Sequence, residues 1–594
     1  MRTTISRLFT SLTVTAALFV LAACAGLPTA GEVKSGLVLG DSPDDPDILL
    51  LASGPVDGAG PERIVEDFIE AAITPTDNWL VAQSFLTAEY REIWRPNAGV
   101  LIDEGKESRT FTSSREADAE GEDAEAEGAE GEGADADANA ETGKDGDTAE
   151  IEVKIEQIAG VDEAGAYSEA LGETTLSFVV VKTEGQWRIS KAPDGVVIDQ
   201  TRFPRVFEDY PLQYFDQSWS RLVPDVRWLP RRATIATTVT QSLIEGAPSP
   251  WLEPAVQSAF PSDVTLARDA VRLDEDQIAE VALSRSARSL DQTTLARMRT
   301  QLQATLKAAG VLVSQVRFNV DGQVLDAGVV KIVDAIADAE TIVLKDGTFG
   351  SFVGTEIAPI DGISAEIGEI AQTVSAVDVA ADQTRAAVQL NDGRVQIVAD
   401  GDVIELDSRA DLVSPSLDPY GYTWTVPSSA PSQVTAWGSD GTSYTVADAW
   451  PTAASVSAIR ISADGARVAA IETVGGETWV AVAAVIRDDS GAPIALGEPR
   501  LLTRLAGSAS DLVWLGDDRL GVLIEQDGPK LLTQIVGGTG SIAAAPAEAI
   551  SLAGARSALN VKVLSATGSL YSQSGSAWRE SATGVTLLAT SAGR

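Results

Sequence analysis

The chain contains no histidine and only one cysteine among its 594 residues. Without histidine it cannot form a Ser-His-Asp or Cys-His nucleophile system, nor a histidine-ligated zinc or haem site. A single thiol supplies no internal disulfide, no thiolate cluster and no redox pair. Carboxylates are therefore the groups that remain for acid–base chemistry, and we expect no cofactor and no metal site.

Basic residues are also scarce. The chain has 44 Lys plus Arg against 87 Asp plus Glu, which gives a formal net charge of −43. Phosphate backbones must be neutralised by basic side chains, so this balance predicts no nucleic-acid partner. It equally disfavours electrostatic adhesion to anionic lipid.

The one cysteine, Cys24, follows a segment with the layout of a signal peptide. Arg2 and Arg7 precede the uncharged run 8–23, which is shorter than the ~20 residues that a spanning helix needs. Residues 1–23 are therefore predicted to be a signal peptide. The ending L-A-A-C resembles a bacterial lipobox, which implies that Cys24 becomes an N-palmitoyl, S-diacylglycerol cysteine and anchors the protein to the membrane.

The region after Cys24 divides into a linker and a first domain. Residues 24–60 are rich in Pro, Gly and Asp and predict a flexible linker. Residues 61–204 then predict an α+β domain, because a helical face (Ile64, Val65, Phe68, Ile69, Ala72) precedes alternating strands. Within this domain, the segment 116–150 carries fifteen acidic residues and one lysine. We expect this insert to be disordered, since it lacks apolar side chains larger than alanine.

Residues 205–345 predict a second α+β domain. Its first helix is expected to end with Gly246 as the C-terminal cap. Strands are predicted at V-T-L-A-R-D (264–269) and I-A-E-V-A-L-S (278–284), and a turn at Asp321-Gly322. A helix is predicted between these strands and the turn from the spacing of Leu295, Met298, Leu302 and Leu306.

From about Thr348 the helical signals stop, and a unit of two short strands and a turn recurs. Copies begin at Ser375, Ser414, Ser457, Asp511 and Ala558. Their spacing is close to the length of a propeller blade, so residues 346–594 predict a β-propeller of five or six blades. A β-sandwich with similar hairpins is the alternative. The predicted fold is thus multidomain: two N-terminal α+β domains followed by an all-β propeller.

Few sequence motifs indicate catalysis. Gly538-Thr539-Gly540 begins a match to a dinucleotide fingerprint, but Pro546 follows too soon for the required helix, so a blade loop is favoured. Two acids could serve a carboxylate-dependent glycosidase, although the sequence cannot nominate the pair. Tryptophans in the last domain fit either blade cores or sugar stacking: Trp424, Trp437, Trp450, Trp479, Trp514 and Trp578.

Three blocks in the middle of the chain carry a family resemblance: V-P-D-V-R-W-L-P (223–230), S-L-I-E-G-A-P-S-P-W-L (242–252) and A-F-P-S-D-V-T-L (259–266). With the lipobox and the domain order, they resemble the actinobacterial LpqB lipoproteins, whose middle domain is of the GerMN type. The acidic insert departs from that family.

The resemblance implies a lipid-anchored, non-enzymatic protein on the extracytoplasmic face of the cell membrane. It further implies an accessory role in the MtrAB two-component system, through the extracytoplasmic domain of the sensor histidine kinase MtrB, with effects on cell-envelope homeostasis and division. The alternative is a module that binds peptidoglycan or another cell-wall polysaccharide, or a glycosidase that cleaves it.

The lipobox prediction is testable by fractionation. Two or three acyl chains bind a bilayer far more tightly than one, at ~0.8 kcal/mol per buried CH2. We therefore expect the wild-type protein to sediment with membranes and to be extracted by detergent, and Cys24→Ala to stay in the soluble fraction. Continued detergent-dependent extraction of Cys24→Ala would contradict lipidation at this residue.

Overall fold

The computed structural model describes residues 52–75, 78–113, 147–231, 234–268, 270–334, 340–554, 560–575 and 577–591. Cys24, the predicted signal peptide and most of the predicted linker lie outside these residues, as does most of the acidic insert. Within the described ranges, no helix combines the length and apolar character needed to cross a bilayer. The α-helices described are α1 (Pro61–Ala72), α2 (Leu80–Gln83), α3 (Ala88–Arg91), α4 (Phe203–Val206), α5 (Ile235–Glu245), α6 (Gln292–Ala308) and α7 (Ser364–Glu369).

The first domain packs α1 against a mixed sheet. Its strands are β1 (Gly99–Asp103), β2 (Thr110–Ser113), β3 (Thr148–Asp162), β4 (Tyr167–Thr183), β5 (Gln186–Lys191) and β6 (Val196–Asp199), in the order β5-β4-β3-β1-β6 with β2 beside β3. The predicted apolar face of α1 is buried, and Pro61 opens the helix as expected. Phe68 on that face lies 5.2 Å from Trp94 and 6.2 Å from Phe178, ring centroid to ring centroid.

The acidic insert is shorter than predicted at its C-terminal end. Strand β3 already begins at Thr148, and Ala149 is buried opposite Val180 of β4. The prediction of disorder up to Glu150 was therefore wrong for the last three residues, because alternate side chains there already face the core. Since β2 ends at Ser113 and pairs directly with β3, the insert connects two neighbouring strands.

The second domain combines α5 and α6 with two small sheets. Strands β7 (Phe207–Asp216), β8 (Leu222–Pro230) and β9 (Val256–Gln257) form one sheet. The other contains β10 (Arg272–Leu273), β11 (Ile278–Ala282), β12 (Gln315–Val320) and β13 (Gln323–Val324). The four apolar residues predicted on α6 are all buried. Asp321 and Gly322 have φ values of 50° and 80° and form the predicted turn between β12 and β13.

One prediction in this domain needs correction, and another is confirmed. The segment V-T-L-A-R-D forms no strand in its described part, 264–268; Leu266 makes only an isolated bridge with Leu283, because β10 occupies the adjoining edge of β11. Gly246 is the C-terminal cap of α5, as predicted: its backbone N–H donates to the carbonyl of Ser242, and its φ of −89° is not left-handed. Glycine is needed there because a Cβ would lie 2.3 Å from the carbonyl oxygen of Ser242.

The third domain is a six-bladed β-propeller. Blade 1 is β14 (Ile342–Lys345), β15 (Thr348–Val353), β16 (Glu356–Ala358) and β38 (Val585–Ser591). Blade 2 is β17 (Val374–Val379), β18 (Arg385–Leu390), β19 (Val395–Ala399) and β20 (Asp402–Asp407); blade 3 is β21 (Ser416–Leu417), β22 (Thr423–Thr425), β23 (Thr435–Trp437) and β24 (Ser443–Thr445). Blade 4 is β25 (Ser455–Ile461), β26 (Arg467–Val474), β27 (Glu477–Arg487), β28 (Pro493–Leu496) and β29 (Arg500–Arg504). Blade 5 is β30 (Ser508–Leu515), β31 (Arg519–Glu525), β32 (Pro529–Ile535) and β33 (Gly540–Ala544); blade 6 is β34 (Ala549–Ala553), β35 (Lys562–Ser565), β36 (Leu570–Ser574) and β37 (Ala577–Ala582).

The ring is closed by β38, which is the last strand among the described residues. Strand β38 pairs antiparallel with β14 and parallel with β17. The inner strands β17, β21, β25, β30, β34 and β38 contact one another in succession around the centre. Strand β38 is therefore the innermost strand of blade 1, whose other three strands, β14 to β16, come first in the propeller sequence.

The structure corrects three details of the repeat prediction. The copy at Ala558 covers the second and third strands of blade 6 rather than the first two, because its inner strand is β34. Helix α7 lies between blades 1 and 2, where no helix was expected. Strand β14 begins at Ile342, before the predicted start of the propeller at residue 346. The repeat of two strands and a turn is not recognisable in blade 1, because its inner strand, β38, lies some 240 residues after β14 in the sequence.

Ring closure should depend on the buried side chains of β38. Leu588 is 6% exposed and packs among residues of blades 1 and 6. We expect Leu588→Ala to lower the free energy of unfolding by about 2–5 kcal/mol, through lost burial and the cavity left behind. Val403→Ala, at a side chain 46% exposed on β20, should change it by less than about 0.5 kcal/mol. Equal losses in chemical denaturation would contradict the closing role of β38.

Candidate functional site

The three domains meet at the β7–β8 hairpin, and β8 is the block V-P-D-V-R-W-L-P itself. Phe207 and Trp228, near the open end of the hairpin, belong to the core of the first domain. Tyr214 and Val223, near its turn, belong to the core of the second. One hairpin thus supplies side chains to two hydrophobic cores, which holds the two α+β domains against each other.

Trp228 is the residue in this hairpin that also reaches the propeller. Its ring lies 4.8 Å from Phe203 and 6.1 Å from Tyr167, centroid to centroid. Its indole N–H donates to the carbonyl of Gly537 in blade 5 at 3.1 Å, and Ile535 of the same blade joins the first-domain core. A buried Trp is favoured where its N–H finds an acceptor, so Trp228 links two domains through one side chain.

A buried ionic network ties β8 to the block G-A-P-S-P-W-L. The Arg227 guanidinium lies 2.8 Å from the Asp225 carboxylate and 2.8 Å from the Ser249 hydroxyl. Asp225 also accepts the backbone N–H of Ser249 at 2.7 Å, and Arg227 donates to the carbonyl of Ala247 at 2.9 Å. Both charged side chains are 3% exposed. Because every partner comes from one of two blocks, the network fixes the loop after α5 against β8.

A second network joins the second domain to blades 3 and 4. The Tyr420 hydroxyl donates to Asp216 at 2.7 Å, and the Arg221 and Arg487 guanidinium carbons lie 4.9 Å and 4.1 Å from its ring centroid. Burial, and then the Asp216 carboxylate, raise the pKa of Tyr420 to about 12. Asp418 accepts from Arg487 at 2.9 Å. The phenol therefore stays a neutral hydrogen-bond donor at physiological pH.

Further contacts join the propeller to both α+β domains. Arg519 of blade 5 pairs with Asp209 of β7 at 3.2 Å, and Arg500 of blade 4 donates to the carbonyl of Tyr167 in β4. Burial lowers the pKa of Arg500 below its ordinary value. Ala466 and Ala484 of blade 4 lie within the core of the second domain. Over the described residues from Ala52 onward, the three domains thus form one compact unit.

The inner strands of the propeller carry a buried acid, Asp378, a partly buried acid, Asp511, and one arginine, Arg460, between them in sequence. Arg460 lies 3.5 Å from Asp511, and its charge also acts on Asp378. Asp378 accepts the backbone N–H of Leu417 in the next blade at 2.7 Å, and Asp511 accepts that of Leu552 at 2.8 Å. These carboxylates connect successive blades, which is a structural role.

Burial raises the pKa of both acids, and Arg460 partly offsets that shift. Asp378 also accepts from the Thr590 hydroxyl of β38 at 2.7 Å, so it joins three blades. A glycosidase needs one acid positioned to protonate the leaving group and a second available to attack or to activate water. Asp378 and Asp511 each accept a backbone N–H from a neighbouring blade, so these two carboxylates do not offer such a pair.

The propeller tryptophans belong to the blades. Trp424 and Trp450 are at most 1% exposed, and the other four are half-buried. The indole N–H groups of Trp437, Trp514 and Trp578 donate to protein oxygens at 2.9, 3.0 and 2.8 Å. Blade packing therefore accounts for these side chains without a sugar. Gly538 and Thr539 lie in the turn between β32 and β33, as expected for a blade loop, and Gly540 is the first residue of β33.

The structure does not test the predicted site residue. Cys24 lies outside the described residues, so its lipidation stays a prediction. In the part of the chain that is described, no group of three or more Asp, Glu or Cys side chains is arranged to hold a metal ion. The junction residues, by contrast, were missed as a group. The blocks that contain Asp225, Trp228 and Ser249 had been singled out, but spacing alone gives no sign that they meet.

Three family models match the chain. Residues 54–204 match "Lipoprotein LpqB, N-terminal domain", residues 211–326 match "Sporulation and spore germination", and residues 347–587 match "Lipoprotein LpqB beta-propeller domain". They follow one another in the order expected from the sequence.

Curated relatives share the family name Lipoprotein LpqB. The protein from Thermobifida fusca is 25% identical over 88% of this chain and 88% of its own length, and that from Streptomyces avermitilis is 24% identical over 86% and 85%. The match to the Cutibacterium acnes protein is 27% identical over 52% of this chain and 46% of that protein.

Solved structures are more distantly similar. TolB from Acinetobacter baumannii aligns with a TM-score of 0.32 and 14% identity, over 42% of this chain and 66% of that one. The first GerMN domain of GerM from Bacillus subtilis aligns with a TM-score of 0.18 and 19% identity, over 21% and 95%.

The Asp225–Arg227–Ser249 network gives a stability prediction. Asp225→Ala leaves the Arg227 charge buried without its carboxylate, so we expect a loss of about 3–5 kcal/mol in the free energy of unfolding. Asp194→Ala breaks an Arg95 pair of similar length, 2.7 Å, whose side chains are 65% and 37% exposed. That control should cost no more than about 1 kcal/mol in the same denaturation experiment. Comparable losses for the two variants would contradict a structural role for the buried network.

Proposed function

The chain belongs to the LpqB lipoprotein family, and on that premise we propose that it is a lipid-anchored accessory protein of a sensor kinase. The kinase is MtrB of the MtrAB two-component system, and the contact is made with its extracytoplasmic domain. Through that contact the protein influences cell-envelope homeostasis and division. The anchor is Cys24, and the folded part lies on the extracytoplasmic face of the cell membrane.

The observation that carries this proposal is the match of both LpqB domain models, in order, to one chain. The names of the matched families and relatives describe lipoproteins and sporulation proteins, and none describes an enzyme. Buried acids of the propeller centre that hold blades together are consistent with a protein that acts by binding.

The packing of the domains supports a rigid binding partner. The β7–β8 hairpin, Trp228 and the Tyr420 network leave little freedom between the second domain and the propeller. A preorganised surface loses less conformational entropy on binding than a jointed one, so more of its contact energy appears as affinity. A rigid accessory protein can also transmit a change at one end to a contact at the other.

We therefore expect the full-length lipoprotein, in nanodiscs, to bind the purified extracytoplasmic domain of MtrB in surface plasmon resonance. Cys24→Ala should bind the same domain in solution with unchanged affinity, because the anchor sets location and not contact. In cells, Cys24→Ala should no longer enrich with the kinase in membrane fractions.

The kinase proposal would be overturned if neither the wild-type lipoprotein nor Cys24→Ala bound the extracytoplasmic domain of MtrB. Binding that is lost in Cys24→Ala even in solution would instead place the lipid, and not the folded domains, at the contact.

A further inference from the structure

A cleft of about 400 Å³ lies between the first and second domains. Small-molecule sites usually have volumes of about 300–1,000 Å³ and occur preferentially where domains meet. The buried side chains of Trp79, Phe207 and Trp228 line it, and the last two belong to the β7–β8 hairpin. The cleft is therefore built on a part of the molecule that packing holds in place.

The two walls of the cleft are polar and come from different domains. Asn97, Asp162 and Glu163 line it from the first domain. Thr238, Gln241 and Ser242 line it from the second domain and share one face of α5, at spacings of three and four residues.

Many of these groups have hydrogen-bonding capacity left over. One oxygen of Asp162 accepts the backbone N–H of Ala166 at 2.8 Å, and the Gln241 amide nitrogen donates to Glu245 at 3.0 Å. Their other oxygens are open to a ligand. Within the described residues, the side chains of Asn97 and Ser242 form no hydrogen bond, so each can both donate and accept.

The charge of the cleft is negative. Asp162 and Glu163 both line it, and no basic side chain among the described residues does so. Two arginines lie near these carboxylates but do not line the cleft. The Arg95 guanidinium, near Glu163, is 2.7 Å from Asp194, and Arg500, whose charge interacts with that of Asp162, donates to the carbonyl of Tyr167. An anionic ligand would meet repulsion from both carboxylates. A ligand with a positive charge would pair with Glu163.

We propose that this cleft binds a small polyhydroxylated ligand that carries a protonated amine, which is the chemistry of an amino sugar. The hydroxyls meet Asn97, Gln241 and Ser242, and the ammonium group meets Glu163 and the free oxygen of Asp162. The ring of Trp228 already packs against Phe203 and Tyr167 within the protein. Recognition therefore rests on hydrogen bonds and charge, and it does not depend on the kinase contact.

Three sugars of similar size separate this proposal from its alternatives. Glucosamine is a cation at pH 7, N-acetylglucosamine is neutral and glucuronate is an anion. Calorimetric titration of the full-length lipoprotein in nanodiscs should show glucosamine binding about fivefold more tightly than N-acetylglucosamine, the size expected for one exposed charge pair. Glucuronate should not bind.

Two variants and a control locate the binding. Glu163→Gln should remove the fivefold preference for glucosamine and leave N-acetylglucosamine unchanged. Ser242→Tyr, on the half-buried face of α5, should fill the cleft and abolish both. Glu152→Gln makes the same charge change at an exposed position on β3 that does not line the cleft, and it should bind like wild type.

The proposal is overturned if none of the three sugars binds or if glucuronate binds as well as glucosamine. It is also overturned if Glu163→Gln and Glu152→Gln behave alike. Loss of kinase binding with retained sugar binding, or the reverse, would distinguish a failure of the proposed function from a failure of this site.

Discussion

The arrangement of this protein depends on one β-hairpin that belongs to two cores at once. Strand β8 places Trp228 in the core of the first domain and against the propeller. At the other end of the hairpin, Val223 of β8 and Tyr214 of β7 pack in the core of the second domain. Side chains in a close-packed interior tolerate little displacement. Because the same hairpin satisfies three packing environments, the domains cannot rotate past one another without exposing at least one of its buried side chains.

Local patterns in the sequence predicted local structure well. The apolar face of α1, the Leu and Met spacing of α6, the Asp321-Gly322 turn and the recurring propeller hairpins follow from periodicities of a few residues. The order of two α+β domains and a propeller followed from them and is confirmed. The departures have physical causes as well: at residues 148–150 a short alternating stretch overrides an acidic composition, and at residues 264–268 the neighbouring edge is already occupied.

Long-range features were beyond those patterns. The pairing of Asp225 with Ser249, and of Trp228 with Gly537, joins residues whose spacing carries no period. The cleft between the first two domains could not be predicted for the same reason, since Glu163 and Ser242 come together only after both domains have packed. Blade 1 could not be predicted from a local repeat, because its four strands are divided between the two ends of the propeller sequence. Lipidation of Cys24 stays a prediction, because this residue lies outside the described part of the chain.

The position of β38 has a consequence for how the protein is made. Synthesis runs from the N-terminus, so β14 and β17 exist long before the strand that must lie between them. Until Val585–Ser591 emerges, two sheet edges with unpaired backbone groups remain open, and such edges readily pair with other chains. The nascent protein thus passes through a period of vulnerability to aggregation that ends when β38 takes its place between β14 and β17. Truncation within Val585–Ser591 would leave that edge permanently available.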